Sequence, residues 1–266
     1  MQALLIDLDG VIYIGNRALP GVPEFFRTLA ELDIRYTLLT NNSTLTTAEF
    51  VAKVRGMGVP AGEGEVLTSA EATAAYLAEQ APPGTGVYVI GEKGLTEAIR
   101  ARGFDLASPE PRYVVVGMDR QFTYEKLYRG CNAIIGGAGF IGSNPDTTLP
   151  TEHGLVPGCG TLLAALRACT GVEPLVIGKP GTRMLQIAMR RLGAAERVTA
   201  MVGDRLDTDL IAGRDAGVTT IMVLTGISTK EEIAASPIKP DYVYADLIEL
   251  AAALRAAKAR AVPGTS

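Results

Sequence analysis

Short apolar runs at residues 3–6, 36–39, 87–90, 113–116, 133–135, 198–202 and 220–224 punctuate the chain, with helix-length segments between most of them. Such alternation predicts βαβ units and a parallel sheet. The first run, Ala3-Leu4-Leu5-Ile6, has no polar residue at alternate positions, so it reads as a strand buried on both faces. Thr46-x-x-Glu49 and Thr68-x-x-Glu71 read as capping boxes, in which hydroxyl and carboxylate each satisfy an orphan backbone donor at a helix start. The first of these helices stops near Gly56 or Gly58. Another is predicted over 182–192, ending at Gly193, a residue suited to a left-handed cap. An alanine-rich amphipathic helix follows Tyr244 and runs to about Arg260, leaving 262–266 as a loose tail.

Turn formers cluster at Ala81-Pro82-Pro83-Gly84 and at Thr170-Gly171-Val172-Glu173-Pro174. The stretch between them carries strands and helices of its own, which predicts a smaller domain inserted into a larger one. The fold class read from this pattern is α/β: a doubly wound parallel sheet built from residues 1–82 and 175–266, interrupted by an α/β domain over 83–174.

Composition narrows the functional classes. Of 266 residues 47% are hydrophobic, yet no apolar stretch approaches the roughly 20 residues of a membrane span. No basic segment leads into a signal-like run at the N-terminus. The expectation is a soluble, cytoplasmic protein with no membrane partner. A net charge of −4 argues against a general nucleic-acid binder, which needs a basic face to neutralise phosphates. Cys131, Cys159 and Cys169 include no C-x-x-C pair, so neither a disulfide framework nor a zinc knuckle is suggested, and all three are expected as buried thiols. The one histidine, His153, falls in the turn-rich Thr151-Glu152-His153-Gly154 and reads as an exposed loop residue. Catalysis is therefore expected to run on carboxylates and lysine.

The first strand delivers Asp7-Leu8-Asp9-Gly10 to its carboxyl end, where open α/β sheets keep their ligand sites. An EF-hand is ruled out, because it needs glycine sixth and glutamate twelfth, whereas glycine is fourth and Ala18 twelfth. Alone, the tetrapeptide is equally a solvated turn, since Asp before Gly is a common turn pattern. Other strand ends change that balance. Thr40-Asn41-Asn42-Ser43 offers hydroxyl and amide donors for phosphate-like oxygens. Gly203-Asp204, followed by Asp207, Thr208 and Asp209, adds carboxylates, and Gly178-Lys179-Pro180 places a cation ahead of a helix. A carboxylate can attack phosphorus, a second acid can move protons, and magnesium is commonly held by one or two carboxylates plus substrate phosphate.

Together, in this order, Asp7-Leu8-Asp9-Gly10-Val11, Thr40-Asn41-Asn42-Ser43, Gly178-Lys179-Pro180 and Gly203-Asp204-Arg205-Leu206-Asp207-Thr208-Asp209 resemble the haloacid dehalogenase superfamily phosphatases of the NagD-like branch, which includes p-nitrophenyl phosphatases and phosphoglycolate phosphatase-like proteins. The resemblance implies Asp7 as nucleophile and Asp9 as general acid/base. It implies Mg²⁺ held by Asp7, the Asp9 backbone carbonyl and Asp204, with Asp209 supporting from behind. Thr40, Asn41, Asn42 and Lys179 become substrate-binding residues. Residues 83–174 become a cap of the C2 type, from which residues 144–149 are a candidate substrate loop, and through which members of the branch often form homodimers. The expected reaction is hydrolysis of a small phosphorylated metabolite: a nucleotide, sugar phosphate, glycerol phosphate, phosphoglycolate or pyridoxal phosphate.

Rival readings fit parts of the same pattern. A phosphosugar or nucleotide phosphotransferase or mutase uses the same residues, and a catalytically silent phosphate-binding regulator uses the same scaffold. Gly137-Ala138-Gly139-Phe140-Ile141-Gly142 matches the dinucleotide fingerprint, but the following Ser143-Asn144-Pro145-Asp146-Thr147-Thr148-Leu149-Pro150 argues against the helix that fingerprint must open, so the segment reads as a turn in the inserted domain. Gly178-Lys179 fails as a P-loop, with Glu173 at the first glycine position and Pro180 at the hydroxyl position.

Overall fold

The computed structural model describes residues 1–151 and 154–261; the expectations for His153 and for 262–266 lie outside the described residues. The chain opens with β1 (Ala3–Asp7), the short pair β2 (Tyr13–Ile14) and β3 (Arg17–Ala18), then α1 (Val22–Glu31), β4 (Arg35–Thr40) and α2 (Thr47–Arg55). It continues through β5 (Val66–Thr68), α3 (Ser69–Gln80), β6 (Val87–Ile90), α4 (Lys93–Ala101), β7 (Tyr113–Val116) and α5 (Tyr124–Ile135). Next come β8 (Gly139–Gly142), the antiparallel pair β9 (Thr148–Thr151) and β10 (Gly154–Pro157), α6 (Cys159–Thr170) and β11 (Leu175–Val176). The last stretch holds α7 (Arg183–Leu192), β12 (Thr199–Gly203), α8 (Ile211–Asp215), β13 (Thr219–Val223), α9 (Lys230–Ala235), β14 (Tyr242–Tyr244) and α10 (Leu247–Ala261). Among the described residues no helix is long and apolar enough to cross a membrane.

Two compact units result. One comprises Met1–Leu39, Val51–Val66 and Leu185–Ser266, the other Thr40–Phe50 and Leu67–Met184. A six-stranded sheet runs in the order β14-β13-β12-β1-β4-β5. β1 pairs in parallel with both β4 and β12, and β12 and β13 continue the parallel ladder to β14. All five residues of β1 are buried, as its unbroken apolar run predicts for a central strand. From β1 the chain proceeds outward through β4 and β5, then returns to the other side of β1 at β12. That reversal is a topological switch point, where the carboxyl ends of adjacent strands leave a crevice. Asp7 closes β1 and Gly203 closes β12, with Ile6 registered against Val202.

The second unit is built on a four-stranded sheet ordered β11-β8-β7-β6, parallel throughout. Its core gathers Ile90, Val114, Val116, Phe140 and, from α5 and α6, Cys131, Ile134, Leu163 and Leu166.

Local rules account for several helix ends. Thr46 and Glu49 form the full reciprocal box: the Glu49 N–H donates to Thr46 Oγ1 at 3.2 Å and the Thr46 N–H to Glu49 Oε2 at 2.8 Å. At Thr68 only half of the box forms. Its hydroxyl accepts from the Glu71 N–H, while the Glu71 carboxylate accepts instead from Arg102. Gly193 ends α7 with φ 58°, the left-handed cap its position predicts.

Three expectations are corrected. Residues 133–135 are not a strand but the last turn of α5; the run is short, and its apolar residues belong to a helical stripe in which Cys131 and Ile134 are buried. The fingerprint glycines therefore follow a helix, and from Gly139 onward they form β8 rather than the turn expected there. Of the three cysteines, Cys131 and Cys159 are buried as expected, but Cys169 is exposed near the end of α6, outside the apolar stripe that Leu162, Leu163 and Leu166 bury.

Candidate active site

At the switch point the structure brings Asp7, Asp204 and Asp209 together. All three are buried, and one carboxylate oxygen from each lies within 4.8 Å of the others. Asp7 owes its place to the end of β1. Asp204 follows the last residue of β12, and Asp209 is returned to the same spot by one π-helical turn over Leu206–Leu210, in which the Leu210 N–H reaches back to the Arg205 carbonyl at 3.2 Å. Such wide turns are rare and recur at functional sites. Asp209 Oδ2 accepts from the backbone N–H groups of Asp204 (3.3 Å) and Arg205 (3.2 Å). Gly203 permits this fold-back, since a Cβ there would collide with the Asp209 side chain. Asp207 points away and pairs with Arg205 at 2.9 Å on the exposed side.

Three buried carboxylates this close repel one another unless a cation or proton joins them. The donor set is all oxygen and hard, which suits a magnesium-type divalent ion and excludes a thiolate-rich site. The residues present therefore fit the Mg²⁺ that the resemblance implies.

Asp9 is exposed, two residues beyond Asp7. The buried Tyr13 phenol donates to Asp9 Oδ2 at 3.2 Å. Burial, followed by the charges of Asp9 and Asp7, pushes the Tyr13 phenol far above its ordinary range, so it stays a neutral donor. The Lys53 ammonium sits 3.7 Å from the Tyr13 ring centroid. Burial draws the Lys53 pKa down, and the Asp9 charge opposes that shift. Tyr13 was not a candidate from sequence. Its position four residues after Asp9, in β2, was the available signal.

The remaining candidates lie in the second unit. Thr40 ends β4, one residue beyond Leu39, which is the register partner of Asp7. The Thr40 hydroxyl accepts from the Asn42 N–H at 3.1 Å. Asn42 turns its side-chain oxygen onto the N–H (2.9 Å) and hydroxyl (2.7 Å) of Thr44, which shapes the loop locally. Asn41 and Lys179 are brought together. The Asn41 amide accepts from the Lys179 N–H at 2.9 Å and donates to the Lys179 carbonyl at 2.9 Å and to Asp146 Oδ2 at 3.0 Å. Both of its side-chain protons are committed, so any phosphate contact from Asn41 falls to its backbone. The Asn41 carbonyl in turn accepts from Ser69 (2.6 Å) and Asn144 (2.7 Å). Gly178 is required here, because a Cβ would lie 2.6 Å from Asn41 Oδ1 and 2.7 Å from the Ser143 carbonyl. Lys179 itself is only 2% exposed. It follows β11, an edge strand of the four-stranded sheet, rather than a strand of the six-stranded one.

No cysteine is poised as a nucleophile at these clusters. Burial pushes the Cys131 thiol up to about 12 and the Cys159 thiol up to about 11, far from the lowered values of reactive thiols.

Comparison with known proteins gives a consistent picture. Residues 4–105 match the haloacid dehalogenase-like hydrolase family, and residues 176–250 match a second profile described as HAD-hydrolase-like. The chain is 42% identical over 248 residues to the 5'-nucleotidase YutF of Bacillus subtilis, covering 93% of this chain and 96% of that protein. Among solved structures, the 4-nitrophenylphosphatase of Thermotoga maritima superposes with a TM-score of 0.91 at 36% identity, covering 96% of this chain and 97% of the other. NagD from Escherichia coli K-12 superposes with a TM-score of 0.88 at 32% identity, covering 94% and 98%.

Proposed function

Because this chain belongs to the haloacid dehalogenase-like hydrolases, as a NagD-like phosphomonoesterase of small phosphorylated metabolites, we propose that its chemistry runs through a phosphoryl group carried on Asp7. An Asp7 oxygen attacks phosphorus, the bond from phosphorus to the leaving oxygen breaks, and that oxygen takes a proton from the Asp9 carboxyl. Water then attacks the aspartyl-phosphate at phosphorus, its proton passes to the Asp9 carboxylate, and the bond to Asp7 breaks to release inorganic phosphate. Tyr13 holds Asp9 during both transfers.

Asp7, Asp204 and the Asp9 backbone carbonyl would hold Mg²⁺, while Asp209 fixes the Asp204 backbone through its amide bonds. When bound, the ion supplies positive charge that offsets the repulsion between the attacking carboxylate and the phosphate dianion. Thr40, the Asn41 and Asn42 loop, and Lys179 bind the transferring phosphoryl oxygens, whose charge is the main demand in this chemistry. In this reading Asn41 acts largely by seating Lys179. Residues 83–174 serve as the cap that chooses the leaving group. The enzyme is placed in the cytoplasm and forms a homodimer through the cap, for which the exposed Tyr124, Tyr128 and Ile135 of α5 offer an apolar face. Sedimentation velocity reads that state directly, and a monomer at micromolar concentration would remove the dimer.

The buried trio of Asp7, Asp204 and Asp209 at the switch point is the observation that carries the proposal. Its test is phosphate release from a panel of nucleotide, sugar, glycerol, glycolate and pyridoxal phosphates, with Mg²⁺ and with a chelator. Release should require Mg²⁺, disappear with the chelator and return on adding the ion back. Undiminished release under chelation contradicts the metal assignment, and transfer to a sugar acceptor rather than to water would make the enzyme a phosphotransferase.

A further inference from the structure

The loop after β13, Thr225-Gly226-Ile227-Ser228, belongs to none of the motifs above, yet it bonds to the loops that follow both β1 and β12. The Thr225 hydroxyl donates to the Gly10 carbonyl at 2.6 Å. The Ile227 N–H donates to Asp204 Oδ2 at 2.8 Å, and the Ser228 N–H donates to the Asp204 carbonyl at 3.1 Å. The Ser228 hydroxyl accepts from the Leu206 N–H at 3.1 Å, just before the turn that returns Asp209.

Glycines wall the same carboxylate on two sides. A Cβ on Gly226 would overlap Asp204 Oδ2 and lie 2.6 Å from Asp204 Cβ. A Cβ on Gly10, whose φ of +82° already disfavours any other residue, would strike the same oxygen. Backbone thus approaches the 1%-exposed Asp204 from the loop after β1 and from the loop after β13. Between those walls the carboxylate has little room to choose another rotamer.

We propose that Thr225–Ser228 is a positioning clamp for the cation site. It fixes the Asp204 carboxylate through the Ile227 amide and the Gly226 wall, and Thr225 ties that clamp to Gly10, in the loop that follows Asp7 and carries Asp9. The clamp rests on the reading of Asp204 as a Mg²⁺ ligand. Outer partners of this kind raise affinity by holding a ligand in its bound orientation before the ion arrives, and their loss costs about 10- to 100-fold in metal affinity.

The test is calorimetric titration of Mg²⁺ into the full-length wild type and into Gly226→Ala, Thr225→Val, Thr225→Ser and Asp204→Asn, with circular dichroism to confirm folding. Gly226→Ala and Thr225→Val should weaken Mg²⁺ binding by about 10- to 100-fold. Thr225→Ser, which keeps the hydroxyl, should bind like wild type. At saturating Mg²⁺ the KM for p-nitrophenyl phosphate should be unchanged in Thr225→Val. Wild-type affinity in both Gly226→Ala and Thr225→Val overturns the clamp. Should Gly226→Ala not fold, equal affinities in Thr225→Val and Thr225→Ser overturn it alone. Failure of the underlying metal reading looks different: Asp204→Asn would then bind Mg²⁺ as the wild type does, and the clamp falls with it.

Discussion

Asp7 and Asp9 are two residues apart and differ in burial and in the Tyr13 bond, as the roles proposed for them require. Asp7 is 8% exposed, inside the carboxylate cluster, whereas Asp9 is exposed and bonded by a phenol. A nucleophile benefits from a fixed, partly desolvated setting, and a proton carrier must reach leaving group and water in turn. Tyr13→Phe tests the second half of that division. The substitution removes one hydrogen bond to a charged group and keeps the ring beneath Lys53. Such bonds are worth about 1.5–3 kcal/mol, so kcat for p-nitrophenyl phosphate should fall by at least roughly tenfold with KM little changed. An unchanged kcat means that Tyr13 does not position Asp9. Asn41 shows how a side chain can sit in a motif and serve it indirectly, since both of its amide protons go to Lys179 and Asp146. Neither partner is legible from the motif, because they stand 138 and 105 residues away along the chain.

At the scale of elements, the start of α2 is held by more than its capping box. Hydrogen bonding from Lys93 first, then from the Thr46 N–H and hydroxyl, holds the Glu49 carboxyl at about 2 against an ordinary 4.5. A depressed folded-state value contributes stability that is complete above the unfolded value and is lost as pH falls through the folded one. Wild type should therefore exceed Glu49→Gln in thermal stability by a constant margin above about pH 4.5, and the margin should close as pH falls to about 2. Melting curves across that interval read it, and a margin independent of pH would refute the charge-based cap. Elements were legible where pattern and length agreed. Buried β1 and the cap of α7 at Gly193 follow from local rules. Residues 133–135 do not, because three apolar residues are as compatible with the last turn of a helix as with a strand. β11 has two residues, too few for a pattern to show, so the strand that leads to Lys179 was hidden even though the Gly178-Lys179-Pro180 motif was plain.

On the scale of the whole molecule, the order β14-β13-β12-β1-β4-β5 explains why residues nearly 200 positions apart share one site. The chain leaves β1 in one direction and returns on its other side, so Asp7 and Asp204 become neighbours by topology rather than by proximity in sequence. The strand ends foretold those two acids. The β13 loop that braces Asp204 was not foretold, because Thr225-Gly226-Ile227-Ser228 carries no acid, lysine or spacing that marks it as functional. Family membership makes phosphate ester hydrolysis the reaction, and the chemistry proposed for it stands or falls on Asp7. Turnover of p-nitrophenyl phosphate by Asp7→Asn, at saturating Mg²⁺ and with the fold verified by circular dichroism, is the decisive measurement. Loss of a nucleophile predicts a fall in kcat of roughly 10⁴- to 10⁶-fold; retention of most of the wild-type rate would contradict covalent catalysis by Asp7.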